Sequence, residues 1–165
     1  MARRFRGSET FKVDAKGRVS IPAPFRRVIE ASDPDWKDGL RPSIVIVYGP
    51  PEQTWLEVFS MDAIHEIDEQ ISLMQRGSPD RLRVEELMYG QSFESQIDDD
   101  GRLTIPQKLR EKIGLSNEAF FISAGDYFTI WNPATYQSDR SNRVEEKQYS
   151  KNFDARSTLP PLRRD

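Results

Sequence analysis

One small group of residues in this chain is suited to recognising a charged partner, and the chain carries that group twice. Asp14, Gly17 and Arg18 recur as Asp98, Gly101 and Arg102, 84 positions later (98 − 14). The same spacing relates three further identical pairs: Ile21 and Ile105, Pro22 and Pro106, and Arg26 and Arg110. Two copies are too few for a solenoid, which needs at least three stacked repeats. The repeat therefore predicts two related halves of one fold.

The first copy of this group has the chemistry of a DNA contact. A basic side chain beside a glycine turn projects from the tip of a β-ribbon, and such a ribbon fits the major groove. Arg18 could present a two-pronged guanidinium to guanine O6 and N7, and Lys16 could meet a phosphate as a point charge. We therefore predict DNA contacts by a set of residues at and before this turn: Arg18, Lys16, Gly17 and Arg6.

A purely structural role is the alternative for the same motif. Asp14 and Arg18 could simply pair and hold the turn, and phosphates would repel the Asp14 carboxylate. The second copy keeps the Asp–Arg pair without the basic surroundings. We therefore predict a turn-bracing role for a second set of residues: Asp14, Asp98, Gly101 and Arg102.

The distribution of charge separates the two copies. The net charge of the chain is −3, which by itself argues weakly against a nucleic-acid binder. Residues 1–30, however, hold eight Lys or Arg against three acids, a local charge of +5, whereas residues 97–115 hold four of each sign. This asymmetry predicts that only the first copy faces a polyanion.

The elements around each turn follow from the apolar pattern. Apolar and polar residues alternate on both sides of Gly17 and Gly101, which is typical of strand–turn–strand. Both glycines supply the positive φ that a tight turn needs. Pro22 and Pro106 then end the strands and fit the first turns of short helices. A second pair of strands is predicted in each copy, within residues 44–59 and 119–131.

Helices and a tail complete the predicted organisation. Ser60 can cap one linking helix, and Ser78-Pro79 can start another. A further helix is predicted from about 134 to 149, and residues 150–165 are predicted to form a mobile tail. Residues 31–39 are a surface insertion that the second copy lacks.

Composition argues against several classes of protein. The chain has no cysteine, which removes disulfides, thiol catalysis and cysteine-based zinc sites, and suits the cytosol. No run approaches the roughly 18 apolar residues of a membrane span, and no apolar segment follows the basic N-terminus as a secretory signal requires. His65 is the only histidine, so a general base near pH 7 is lacking. Residues 96–107 match a calcium loop poorly, because Gln107 stands where a bidentate Glu is needed. We expect no enzyme activity, no cofactor and no metal site.

The doubled motif resembles a known family. Asp-x-x-Gly-Arg-(Val/Leu)-(Ser/Thr)-Ile-Pro, present twice, is similar to the AbrB-type swapped-hairpin barrel, and most of the chain resembles the MraZ family of bacterial transcriptional regulators. The similarity runs from Phe5-Arg6-Gly7 through residues 81–90 to Trp131-Asn132. The chain departs from the family in the insertion at 31–39 and in the acidic pair Asp99-Asp100 of the second copy.

The resemblance implies a fold, partners and a setting. It implies an α+β, β-dominated fold in which two AbrB-like repeats, at 8–62 and 91–134, form one barrel. Linking helices lie at 63–90 and a C-terminal helix and tail at 135–165. It further implies ring-shaped homo-oligomers that bind short G-rich direct repeats in double-stranded DNA upstream of the division and cell-wall gene cluster, including the regulator's own promoter. The expected location is the cytoplasm, in association with the nucleoid.

Two other interpretations remain open from the residues alone. The chain could be an oligomeric interaction module whose basic N-terminus serves only assembly. It could also be an enzyme on a related barrel scaffold that acts on an acidic small molecule, although no repeated catalytic pattern supports this. Salt-dependent DNA retardation separates the first alternative from a regulator, since true DNA binding weakens steeply with salt.

Overall fold

The computed structural model describes residues 3–147 and 152–163. The strands in these ranges are β1 (Ser8–Lys12), β2 (Arg18–Ser20), β3 (Ser43–Val47), β4 (Trp55–Ser60), β5 (Ser92–Gln96), β6 (Arg102–Thr104), β7 (Glu118–Ser123) and β8 (Tyr127–Trp131). The α-helices are α1 (Ala23–Ala31), α2 (Met61–Ser72), α3 (Pro79–Glu85), α4 (Gln107–Ile113) and α5 (Pro133–Lys147). A π-helical turn (Glu86–Gly90) follows α3, and a 3-10 turn (Ala155–Thr158) lies in the tail. The predicted α+β, β-dominated class is confirmed.

Local sequence signals explain where the helices begin and end. Ser60 caps α2 by accepting the Ala63 N–H at 3.3 Å, and Ser78 caps α3 in the same way. Pro22 and Pro106 occupy the N-cap positions of α1 and α4. Gly114 ends α4 with φ of 70°, a left-handed conformation that glycine adopts without strain.

The strands pair mainly between the two repeats. A six-stranded antiparallel sheet has the order β1-β7-β8-β4-β3-β5, and β2 and β6 form a separate two-stranded ladder. The first strand of each repeat thus pairs with the third strand of the other, in β1–β7 and in β5–β3. Expecting a two-stranded ribbon around each turn was therefore wrong, because the strands on either side of a turn pair with the opposite repeat and not with each other.

The pairing register has the symmetry of the sequence repeat. Val19 lies opposite Leu103, its own counterpart 84 positions later. Glu57 lies opposite Thr129, its own counterpart in the second repeat. An approximate two-fold axis therefore passes through both pairs. Because β1 and β5 are end strands of the large sheet, no closed barrel is formed among the described residues, and the swapped-hairpin barrel stays a prediction.

One hydrophobic core joins the repeats. Its fully buried members come from both halves and include Val19, Ile29, Ile44 and Leu56 of the first, and Leu103, Ile105, Phe121 and Ile130 of the second. Such burial contributes roughly 1.5–3 kcal/mol per large apolar side chain. Neither repeat buries its apolar face alone.

The periphery agrees with the sequence in part. The predicted C-terminal helix is α5, which ends at Lys147, and residues 148–149 lie outside the described ranges. In the predicted tail, residues 150–151 and 164–165 also lie outside them, while 152–163 are exposed around their short 3-10 turn. None of the helices in the described part of the chain is long and apolar enough to cross a bilayer.

Candidate nucleic-acid interface

In the first repeat, Asp14 organises the turn. Its Oδ1 accepts the backbone N–H groups of Lys16 and Arg18 at 3.0 and 2.8 Å, and its Oδ2 accepts Nε of Arg18 at 2.6 Å. The Asp14 carbonyl accepts the Gly17 N–H at 2.9 Å. The N–H of Arg18 and its side chain therefore hold the pKa of Asp14 below its ordinary value. The aspartate stays ionised and orients the arginine beside it.

The second repeat builds the same turn. Asp98 accepts the backbone N–H groups of Asp100 and Arg102, both at 2.9 Å, and Nε of Arg102 at 3.3 Å. Slight burial raises the pKa of Asp98, but these hydrogen bonds outweigh it and the pKa lies below its ordinary value. The structure thus places Asp98, Gly101 and Arg102 in a bracing network like that of the first repeat.

Each turn is also held by the other repeat. The Gly17 carbonyl accepts the Ile105 N–H at 2.8 Å, and the Gly101 carbonyl accepts the Ile21 N–H at 2.9 Å. A side chain at Gly17, where φ is 82°, would collide with the Arg110 guanidinium and the Ile105 carbonyl.

The same arrangement, reversed, holds the second turn. A side chain at Gly101 would meet Arg26 of the first repeat. The arginine that trails each motif therefore covers the turn of the opposite motif. The sequence shows that Arg26 recurs as Arg110. It gives no local signal that Arg110 contacts Gly17, because the two residues are 93 positions apart (110 − 17).

Gly17 consequently belongs to the turn and not to its outer surface. It is buried, its N–H donates to Asp14 and its carbonyl accepts from Ile105. The Gly17 N–H, which is the backbone group that could donate to a phosphate, is therefore engaged inside the protein. These hydrogen bonds give Gly17 a structural role, and its DNA contact stays a prediction.

The two motif arginines lie on one face. In the β2–β6 ladder, Arg18 lies opposite Thr104 and Ser20 opposite Arg102, while the pair between them faces the core. Such diagonal neighbours are about 7–8 Å apart. Their side chains are also almost equally exposed, at 31% for Arg18 and 29% for Arg102. A molecule that binds one of these arginines therefore also lies close to the residues around the other.

What differs between the two arginines is the partner of the outer guanidinium nitrogens. Asp100 stands at the position that Lys16 holds in the first copy, and it accepts Nη2 of Arg102 at 3.1 Å. Among the residues that the structure describes, the Nη groups of Arg18 have no hydrogen-bond partner, because only Nε is bound by Asp14. Arg18 therefore keeps two donors directed outward, and Lys16 adds a positive charge beside them.

The second acid of the second turn is neutralised as well. Arg41 donates Nε and Nη2 to the two Asp99 carboxylate oxygens at 3.0 and 2.9 Å. This guanidinium holds the pKa of Asp99 below its ordinary value. Arg41 follows the 31–39 insertion, so the insertion and the acidic turn, the two departures from the family pattern, lie next to each other.

Arg6 is not gathered into this cluster. β1 runs for about 13 Å between the segment of Arg6 and the turn. The basic N-terminal segment is anchored by Phe5, whose ring packs edge-on against Phe25 and Phe128 at 5.3 and 5.1 Å between centroids. Sequence reasoning missed Phe5, although a single aromatic between basic residues was a visible signal.

Within the described ranges, no group of three or more His, Asp or Glu residues is placed to hold a metal ion.

Comparison with known proteins gives a consistent picture. The family model described as "MraZ protein, putative antitoxin-like" matches residues 88–157, which include the second turn. A protein of Ruegeria pomeroyi named transcriptional regulator MraZ is 54% identical over 146 residues, which cover 88% of this chain and 87% of the relative. A protein of the same name from Cereibacter sphaeroides is 42% identical over 152 residues, with 88% and 89% covered. A third, from Coxiella burnetii, is 29% identical over 143 residues, with 87% and 89% covered.

Proposed function

Because this chain belongs to the MraZ family, we propose that it is a sequence-specific DNA-binding regulator of transcription. The observation that carries the proposal is the outward pair of Nη donors on Arg18, held in place through Nε by Asp14 at 2.6 Å. A guanidinium fixed in this way loses little conformational entropy on binding, and it matches the O6 and N7 acceptors of guanine in the major groove. Lys16, exposed on the same turn, neutralises a phosphate.

Arg6 contributes separately. It is exposed beyond the opposite end of β1 from the turn, so it meets the DNA backbone away from the bases that Arg18 reads. Such a contact adds affinity and salt dependence but no sequence preference.

The fold and assembly that we propose support this role. Strand exchange between the repeats and their shared core support a swapped-hairpin barrel made of residues 8–62 and 91–134, with linking helices at 63–90 and a C-terminal part at 135–165. One turn meets few phosphates, so we propose a ring of identical subunits that presents several turns to successive G-rich direct repeats. The proposed targets lie upstream of the division and cell-wall gene cluster and of the regulator's own gene, in the nucleoid of the cytoplasm.

An oligomeric interaction module without specific DNA binding is the second candidate. Three of the cations around the two turns are already ion-paired within the chain: Arg18 with Asp14, Arg41 with Asp99 and Arg102 with Asp98. Cations that are already paired attract a polyanion less, and this favours protein contacts. The same binding assay separates the two candidates.

The test compares the two motif arginines. Arg18→Ala should weaken binding to the chain's own upstream DNA by roughly 1–3 kcal/mol per engaged subunit, because it removes the guanine contact. Arg102→Ala is the matched control, since its outer nitrogen is bound to Asp100, and it should have a much smaller effect. Lys16→Ala should weaken specific and scrambled DNA alike and flatten the salt dependence.

The assay is gel retardation of each variant on specific and scrambled DNA across a salt series. Equal losses from the two arginine variants would mean that both turns touch DNA. No loss from either, with the protein still assembled, would leave the interaction module as the function.

A further inference from the structure

The second turn carries an excess of negative charge in its own sequence. Residues 98–102 hold three acids and one arginine, a charge of −2, whereas residues 14–18 hold one acid and two bases, a charge of +1. Asp100 is bound to Arg102 within the turn. Asp99 pairs with no base of its own turn in the described part of the chain, and its partner comes from the first repeat.

That partner is Arg41, which binds Asp99 through two nitrogens. Its Nε and Nη2 donate to the two carboxylate oxygens at 3.0 and 2.9 Å. Two parallel hydrogen bonds orient a guanidinium and a carboxylate more closely than a single bond does. This contact with Asp99 raises the pKa of Arg41, and the charges of Asp98 and Asp100 add to the effect. The Arg41 charge therefore acts on all three acids of the second turn.

The insertion that precedes Arg41 holds it at this turn. Asp33 is buried and closes the insertion, because its Oδ2 accepts the Ser43 N–H at 2.9 Å. The Pro42 carbonyl accepts the Ile97 N–H at 3.0 Å, which ties the chain next to Arg41 to the start of the second turn motif. The backbone on the C-terminal side of Arg41 is therefore fixed both to the insertion and to the second repeat.

The Arg41–Asp99 pair lies beside the surface that we propose meets DNA. Arg18 and Arg102 are on one face, about 7–8 Å apart, and Asp99 belongs to the turn that leads into Arg102. The side chains of Arg41 and Asp99 are exposed, at 51% and 75%. The Debye length is about 8 Å at 0.15 M salt and about 30 Å at 0.01 M. A free carboxylate at Asp99 would therefore repel the phosphates of DNA bound at Arg18, and most strongly at low salt.

We propose that Arg41 is a positioning residue for DNA binding, which neutralises Asp99 so that the acidic second turn tolerates DNA bound at the first turn. Arg41 acts through Asp99 and not by touching a phosphate, since two of its three nitrogens are engaged by the carboxylate. The inference rests on the proposed function and assigns it a residue outside both turn motifs. It also gives the insertion a role, which is to place this guanidinium.

The test is gel retardation of full-length variants on specific and scrambled DNA across a salt series. Arg41→Gln should weaken binding to both DNAs alike, by about 5-fold per engaged subunit near 0.02 M salt and by less than about 2-fold near 0.3 M. Arg41→Lys should keep most of the affinity, because it keeps the charge. The melting temperature should stay nearly unchanged in both variants, because an exposed ion pair contributes little to stability.

Asp99→Asn separates neutralisation from direct contact. The double variant Arg41→Gln with Asp99→Asn loses one charge of each sign, so it should bind DNA like the parent protein. If Arg41 touched a phosphate itself, the double variant would bind as weakly as Arg41→Gln alone. That result would overturn the proposal.

A matched control separates this local effect from a change in total charge. Arg83 pairs with Glu86 at 3.2 Å in the segment that links the repeats, and their side chains are exposed to similar degrees, at 56% and 55%. Arg83→Gln changes the net charge of the chain as Arg41→Gln does, but it should leave DNA binding nearly unchanged. Equal losses from the two variants would overturn a specific role for Arg41.

The same assay separates this inference from the proposed function. A parent protein that binds its upstream DNA and is weakened by Arg18→Ala, but not by Arg41→Gln at low salt, overturns the role of Arg41 alone. A parent protein that binds no DNA even at the lowest salt overturns both.

Discussion

At Gly17 the two repeats lie close together, because Arg110 and the Ile105 carbonyl of the second repeat occupy the space that a side chain would need. We predict that Gly17→Ala lowers the free energy of unfolding by about 2–3 kcal/mol, because a left-handed non-glycine residue is strained and its methyl group also meets Arg110. Gly77→Ala is the matched control, since Gly77 has φ of 79° and open space around it. It should cost about 1 kcal/mol. Urea unfolding of both variants measures the difference, and equal losses would show that Arg110 does not constrain the turn.

Glu57 lies on the approximate two-fold axis, opposite Thr129, and burial raises its pKa. The pKa of Glu57 in the unfolded chain is about 4.3. Just above that pH, the folded protein therefore still holds a proton on Glu57 that the unfolded chain has lost. Stability contributed by the protonated form is present below that value and is lost as pH rises through the folded pKa. We predict that Glu57→Gln raises the urea midpoint at pH 7.5 and changes it much less at pH 4. Glu66→Gln, on the exposed side of α2, is the control. A gain that is the same at both pH values would contradict this assignment.

At the scale of elements, the N-terminal arm depends on one side chain. We predict that Phe5→Ala lowers the free energy of unfolding by about 3–4 kcal/mol, because it empties a site between Phe25 and Phe128. Phe5→Leu should cost about 1 kcal/mol, since most of the volume is kept. Chemical denaturation measures both losses. A loss below 1 kcal/mol for Phe5→Ala would mean that the arm is dispensable for the core.

At the scale of the whole molecule, neither repeat has a complete sheet. We predict that residues 1–76 and 77–165, expressed separately, show no cooperative thermal transition, because β1 would lack β7 and β5 would lack β3. Mixing the two pieces should restore a cooperative transition and the circular dichroism of the full chain. Two cooperative, monomeric melts from the separate pieces would show that the repeats are independent domains.

Much of this protein is determined locally and is therefore legible in the sequence. Strand alternation, the serine caps at Ser60 and Ser78, and the helix end at Gly114 depend on residues a few positions apart, and each occurs where the sequence indicates it. The Asp14–Arg18 and Asp98–Arg102 pairs are local in the same way, because four residues of turn bring their side chains together.

The partners of these elements are decided only by the tertiary structure. Periodicity states which face of a strand is buried but not which strand lies beside it, so the exchange of β1 and β5 between the repeats has no signature in either copy. For the same reason the sequence does not show that Arg110 covers Gly17 or that Arg41 pairs with Asp99. Nor does it show that both motif arginines lie on one face. The sequence by itself determined a doubled turn with one basic copy. Only packing across the two-fold axis decided that each copy completes the other, because those contacts join residues dozens of positions apart.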